Sequence, residues 1–352
     1  MNLGAESPSE DFDRYSRQMY FPKIGIEGQR KLAAGTALVV GCGALGSVIA
    51  ETLVRAGVGC VRIVDRDYLE LHNLQRQVLF DEADVCSGLP KAIAAKQKLE
   101  MINSQVRIEA FVEDLSHRTI SQLANGVAVI VDGTDNFEAR FLINDYALET
   151  GIPWIYGGCI GSEGQSLTII PGQSNCLNCL MVDGPPPPGT TAGCDVAGVI
   201  GPAVNVVASI QSVEALKILS GNRQHVSRDL TVVDLWLGRF TKLKLGNLAE
   251  KVACPACQHG HRVWLSGEQS TTTAVLCGRN SVQVKPAGVV VVDLVELGER
   301  LRRHGEVKQN DYLLKFQLPD LLLTVFADGR AIISGTDEPA RAKSVYAQWV
   351  GV

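Results

Sequence analysis

Four of the ten cysteines fall in two C-x-x-C pairs, Cys176 with Cys179 and Cys254 with Cys257. Two intervening residues let both sulfurs of a pair face one ion, and two such pairs supply four thiolates. That set makes a closed tetrahedral zinc site with no position left for water, hence structural rather than catalytic. It would clip two distant segments together with stability that exists only when metal is bound. A thioredoxin-like dithiol would need a pair at a helix N-terminus of a different fold, and two matched pairs argue against it. His259 and His261 follow closely but would oversubscribe the ion. Cys194 stands apart, in G-C-D-V-A-G between a proline run and an apolar helix. A thiol presented at such a helix start could titrate low and act as a nucleophile. Cys42, Cys60 and Cys159 read as packing residues. Cys277, flanked by Gly278 and Arg279, takes no assigned mechanism.

A second chemistry lies upstream. Gly41, Gly43 and Gly46 form G-x-G-x-x-G between an apolar run at 37–40 and a helical pattern at 47–56, and a second apolar run closes on Asp65. Strand, tight turn, helix and strand in that order are a nucleotide-binding half of a Rossmann sheet. Gly41 would permit the turn, Gly43 would let a ligand approach the backbone, and Gly46 would let the helix sit close to the sheet. Asp65 reads as an acceptor for ribose hydroxyls, equally suited to NAD, FAD or ATP. The loop from Arg66 to Phe80 is rich in Asp, His, Asn, Arg and Gln, in a place where a plain Rossmann fold needs only a short connection. Asp132 ends another apolar run, which puts it at the same sheet edge.

The elements that must position these groups alternate. A helix is expected over 91–102 behind Pro90, strands over 106–111 and 127–132, and a helix beyond. Two further strands surround a glycine-rich turn within 152–171. Four consecutive prolines at 185–188 require a loop, and 203–219 reads as an unusually apolar helix. The expected fold is α/β, a Rossmann-like mostly parallel sheet with a structural zinc site. Its divisions are an N-terminal arm and helix at 1–34, the main domain at 35–262, and a small C-terminal α/β module at 270–352. Within the module, A-D-G between two apolar runs at 321–334 is a hairpin signal.

Composition narrows the function. A net charge of -5 provides no electrostatic footprint for nucleic acid, and no apolar run is long enough to span a bilayer. The first residues carry Asp and Glu where a secretory signal would carry basic residues and an apolar stretch, so a cytoplasmic location is expected.

Together, RYSRQ at 14–18, GCGALGS at 41–47, VDRDYLELHNLQRQ at 64–77, GLPKA at 88–92, VDGTDNFEAR at 131–140, AGCDVAGVIGP at 192–202 and the cysteine pairs resemble the ThiF/MoeB/HesA family of ubiquitin-activating-like adenylyltransferases. The resemblance spans 11–260. It implies a homodimer that uses ATP and Mg²⁺ to adenylylate the C-terminal glycine of a small ubiquitin-like sulfur carrier ending in Gly-Gly, before a donor protein supplies sulfur. Carried over by position, Asp65 would hold the ribose, and Asn73, Arg76 and Lys91 the phosphates, with Asp67 assisting. Arg17 would cross the dimer, Asp132 would position Mg²⁺, and Cys194 would serve the sulfur step. Cations at 17, 76 and 91 suit a transition state that pushes negative charge onto a triphosphate, and an already ionised carboxylate needs no general base. The carrier could be ThiS-like or MoaD-like. Activation for cysteine synthesis, conjugation or peptide modification, and a non-catalytic carrier-binding scaffold, remain alternatives, whereas an NAD oxidoreductase leaves the cluster at 73, 76 and 91 without a purpose.

Overall fold

The computed structural model describes residues 10–185, 197–269, 273–276, 280–286 and 291–351. Strands β1 (Thr36–Val40), β2 (Cys60–Val64), β3 (Arg107–Phe111), β4 (Val129–Asp132), β5 (Trp154–Ile160), β6 (Glu163–Ile169), β7 (Leu230–Asp234) and β8 (Arg239–Leu243) form one sheet in the order 3-2-1-4-5-6-7-8. The first five strands in that order run parallel, which matches the repeated strand and helix alternation. From β5 onward the pairing is antiparallel. A two-residue turn at Gly161 and Ser162 joins β5 to β6, and Gly161 supplies the positive φ of 61° that such a turn needs.

Both faces are covered, which explains why β1 reads as a continuous apolar run rather than an alternating one. Ala37 and Val39 enter one core, with helices Ala44–Arg55, Lys91–Ile102 and Gly201–Leu219. Leu38 and Val40 enter the other, with helix Phe137–Thr150 and three of the paired cysteines. The apolar helix Gly201–Leu219 lies close against the sheet because Gly157 and Gly164 present no side chain: a Cβ there would stand 2.3 Å from Gln211 and 2.4 Å from Val207. Among the described residues no helix is long and apolar enough to cross a membrane.

A second sheet follows. β9 (Thr273–Leu276), β10 (Ser281–Val284), β11 (Val307–Gln309), β12 (Leu313–Gln317), β13 (Leu322–Phe326) and β14 (Ala331–Ser334) pair antiparallel throughout, in the order 11-12-13-14-10-9. The hairpin read from A-D-G is β13 to β14, with Gly329 at φ 80°. Leu314, Phe316, Leu323 and Val325 bury one face under helices Leu294–Leu301 and Pro339–Trp349. The opposite face carries Leu313, Phe326 and Ile332, which close over Tyr68 from the first unit.

Candidate functional site

A cleft opens at the carboxyl ends of β1, β2 and β4, where the strand order reverses. Its floor is three backbone segments in direct contact. Gly41 has φ 83°, a Cβ on it would lie 2.8 Å from the Gly133 carbonyl oxygen, and a Cβ on Gly46 would lie 1.8 Å from that of Gly41. Gly43 is different: it lines the cleft, and the nearest atom to a Cβ there is Gln77 Nε2 at 3.9 Å. Helix Ala44–Arg55 has no side-chain cap at its N-terminus, so its first N–H groups face the cleft as an anion-binding end.

Asp65 is buried where β2 ends, and its two oxygens accept from Cys42 N at 2.6 Å and Asp67 N at 2.7 Å. A carboxylate has about four lone-pair positions, so acceptor capacity remains for a ligand hydroxyl. Burial pushes the Asp65 carboxyl up, against the opposing pull of Lys91. Lys91 begins helix Lys91–Ile102, is 3% exposed, and donates to Asp67 Oδ2 at 3.4 Å. Arg76, half-buried, lines the same wall and donates to His72 O at 3.0 Å. Asn73 lies behind that wall, fully buried. Its Oδ1 accepts from Glu70 N at 3.1 Å, and its Nδ2 has no hydrogen-bond partner among the described residues.

The four paired cysteines converge from two loops. Their sulfurs lie within 4.8 Å of one another, with neighbours at 3.7 Å (Cys176 and Cys179), 3.6 Å (Cys176 and Cys254) and 3.5 Å (Cys179 and Cys257). A zinc–sulfur bond of about 2.3 Å implies tetrahedral edges of about 3.8 Å, so the cluster fits that ion without rearrangement. Surrounding amides hold the loops: Asn144 Oδ1 accepts from Leu177 N at 2.9 Å, and Asn175 Oδ1 accepts from Ala249 N at 2.9 Å.

A profile of the ThiF family matches residues 15–256. The chain belongs to the ThiF family. It is 45% identical over 339 residues, 96% of this chain and 99% of the other, to the sulfur carrier protein ThiS adenylyltransferase of Bacillus subtilis (strain 168). It is 38% identical over 253 residues to the sulfur carrier protein adenylyltransferase of Thermus thermophilus, covering 70% of this chain and 91% of that one. Among solved structures, E. coli MccB superposes with a TM-score of 0.61 at 21% identity over 72% of this chain and 74% of its own, which extends the fold likeness. A crystal structure of MccB with ATP has a TM-score of 0.58 at 21% identity, over 66% and 72% of the two chains.

For this ThiF-family chain the structure gathers Gly41, Gly43, Asp65, Asp67, Arg76 and Lys91 around one cleft. Gly46 and Asn73 sit behind it. Asp132 ends β4 beside the turn that lines the cleft. It is fully buried, and its oxygens are engaged by Arg140 Nε at 2.9 Å, Thr134 Oγ1 at 2.7 Å and Thr134 N at 2.9 Å. Burial alone would lower the Arg140 pKa, but Asp132 outweighs it and holds the guanidinium charged. The exposed carboxylate on the cleft wall is Asp135, three residues on. Arg17 is exposed, lies 5.8 Å from the Tyr20 ring, and does not line its own cleft. Cys194 and Cys277 fall outside the described residues.

Sequence reasoning also passed over Arg66, Asp114 and Arg140, all of which line the cleft. Arg66 stood in plain view between Asp65 and Asp67. Asp114 carried no local signal, because only the pairing of β3 beside β2 brings it there.

Proposed function

We propose that the protein uses ATP to adenylylate the C-terminal carboxylate of a small ubiquitin-like sulfur carrier, releasing pyrophosphate. The observation that carries this reading is the nucleotide cleft, set in a chain 45% identical from end to end to a ThiS adenylyltransferase. The same identity favours a ThiS-like carrier over a MoaD-like one.

Each residue then has a task. Asp65 takes the ribose hydroxyls with its remaining acceptor capacity. Gly43 leaves room for a phosphate over the uncapped helix, and Lys91 and Arg76 neutralise charge that grows on the triphosphate as the carrier carboxylate attacks phosphorus. Asn73 Nδ2 is a spare donor behind the same wall. Mg²⁺ fits this cleft through Asp135 rather than Asp132, whose oxygens are already engaged; bound there, it would supply further charge neutralisation on the phosphates. Asp132 acts at one remove, by locking Arg140 and the turn that carries Asp135. We assign zinc to the four cysteines as a structural ion. We assign Arg17, exposed and absent from its own cleft, to the cleft of a second copy in a homodimer. Cys194 belongs to the sulfur step after pyrophosphate has left.

The test is carrier-dependent exchange of labelled pyrophosphate into ATP, with mass spectrometry of the carrier terminus. Exchange that requires the carrier's terminal Gly-Gly supports the assignment. Binding of carrier without any exchange would leave a scaffold instead.

A further inference from the structure

The second sheet touches the first unit at the loop that builds one wall of the nucleotide cleft, and it does so by three kinds of contact. Tyr68, two residues after Arg66, is buried against Leu313, Phe326 and Ile332, and the Lys315 ammonium lies 4.0 Å above its ring. At the far end of the loop, Asn310 Nδ2 donates to Gly88 O at 3.0 Å, shortly before Lys91. Between these, Lys285 forms an ion pair with Asp114 Oδ2, while Arg66 Nη1 donates to Asp114 Oδ1 at 2.8 Å. Charge then alternates along one line: Lys285, Asp114, Arg66, Asp67 and Lys91, the last two links being Arg66 to Asp67 at 3.9 Å and Lys91 to Asp67 at 3.4 Å. Four of those five residues line the cleft; Lys285 directly follows β10 of the second sheet.

The electrostatics agree with the line. Burial pushes the Asp114 carboxyl up, yet Arg66, Lys285 and Arg330 outweigh it and hold it below the usual carboxylate range. Arg330 is 3% exposed, and its two terminal nitrogens have no hydrogen-bond partner among the described residues. A buried guanidinium in that state is tolerated only beside opposite charge, which Asp328 and Asp114 provide. Near the Tyr68 contact the same sheet face is polar, with Thr324 and Gln283 fully buried, so apolar packing alone does not fix the interface.

We infer that the second sheet braces the nucleotide wall, and that Lys285 is a positioning residue which holds Arg66, through Asp114, beside Asp67 and Lys91. The inference rests on the adenylylation reading for its kinetic readout, but its core, a coupling of the second sheet to nucleotide affinity, does not. Without Lys285, Asp114 keeps only Arg66 and Arg330 as cations and draws Arg66 more strongly, away from its station near Asp67. Asp67, which holds Lys91 at the place where phosphates must bind, then loses its second cation.

Lys285 is 24% exposed and outside the apolar core of its sheet, so its substitution leaves a folded chain, which an unchanged melting temperature verifies. ATP affinity is titrated directly and KM for ATP is read from pyrophosphate exchange, in the full-length protein. Lys285→Met should weaken both by about five-fold, the scale of one partly exposed ion pair, with kcat within about two-fold. Lys285→Arg should restore them. Arg66→Met should weaken ATP at least as much, and the double variant should be no worse than Arg66→Met alone, because Lys285 acts through Arg66. Wild-type affinity in Lys285→Met, or losses that multiply in the double variant, overturns the brace. Normal ATP binding without exchange in the wild type overturns the adenylylation reading, and the direct titration still judges the brace. Absence of ATP binding in the wild type overturns both.

Discussion

In the cysteine cluster four like ligands come within 4.8 Å of one another and three of them are buried, so each sulfur is already where an ion needs it. In and just behind the nucleotide cleft, by contrast, groups of both signs come from β1, β2, β4 and two intervening loops, and several remain incompletely engaged: Asn73 Nδ2 has no hydrogen-bond partner among the described residues, and the helix behind Gly43 has no side-chain cap. The first arrangement suits a permanent occupant that is part of the fold. The second suits a ligand that arrives and departs, because its polar groups keep capacity that water can satisfy in the meantime.

The comparison breaks most visibly at the cysteines. Cys254→Ala, or chelation of the metal, should cost several kcal/mol and lower the melting temperature by about 10 °C, and elemental analysis of the intact protein should find about one zinc per chain. A chain that melts unchanged without metal would put the cluster in the same class as the cleft. Next is Asp132→Asn, which leaves the buried Arg140 guanidinium without its counter-charge. A stability loss of about 3–5 kcal/mol is expected in denaturant titration, with a smaller fall in exchange activity of the folded chain than Asp135→Asn causes.

Asp135→Asn sharpens the contrast within five residues of chain. It should leave the denaturation midpoint alone and lower carrier-dependent pyrophosphate exchange by roughly 10²-fold, the scale of one lost electrostatic stabiliser. If the two aspartates exchange effects, the metal-facing role belongs to Asp132 after all. The smallest effect is expected at Cys194, a cysteine with no part in the cluster. Cys194→Ala should keep exchange within about two-fold of wild type while thiocarboxylate formation on the carrier falls, read by mass spectrometry with a sulfur donor present.

What the sequence made legible follows the same division. The four-cysteine cluster could be read because each pair is local: two intervening residues set the bite, and only the meeting of the pairs needed the fold. The glycine turn and Asp65 were legible for the same reason. The aspartates at 132 and 135 were not separable, because both lie in V-D-G-T-D-N at the end of one strand and only the path of the turn decides which carboxylate enters the core. Arg140 is invisible as a buried cation until Asp132 is seen beside it. Lys285 lies more than two hundred residues from Arg66, in a unit whose strands could be anticipated but whose docking on Tyr68 could not, since long-range ion pairs leave no periodicity.

The close contact among Gly41, Gly46 and Gly133 bears on how the protein moves. With carbonyl oxygens standing where any Cβ would be, that side of the cleft has no free volume in which to yield, and a packed backbone junction resists displacement in every direction. Adjustment to an incoming nucleotide must therefore fall to the opposite wall, residues 66–90, which is tied by ion pairs and an amide hydrogen bond as well as by buried Tyr68, Leu69, Leu79 and Phe80. Opening and closing of that wall, rather than any rearrangement of the glycine turn, would then set how quickly nucleotide enters and pyrophosphate leaves.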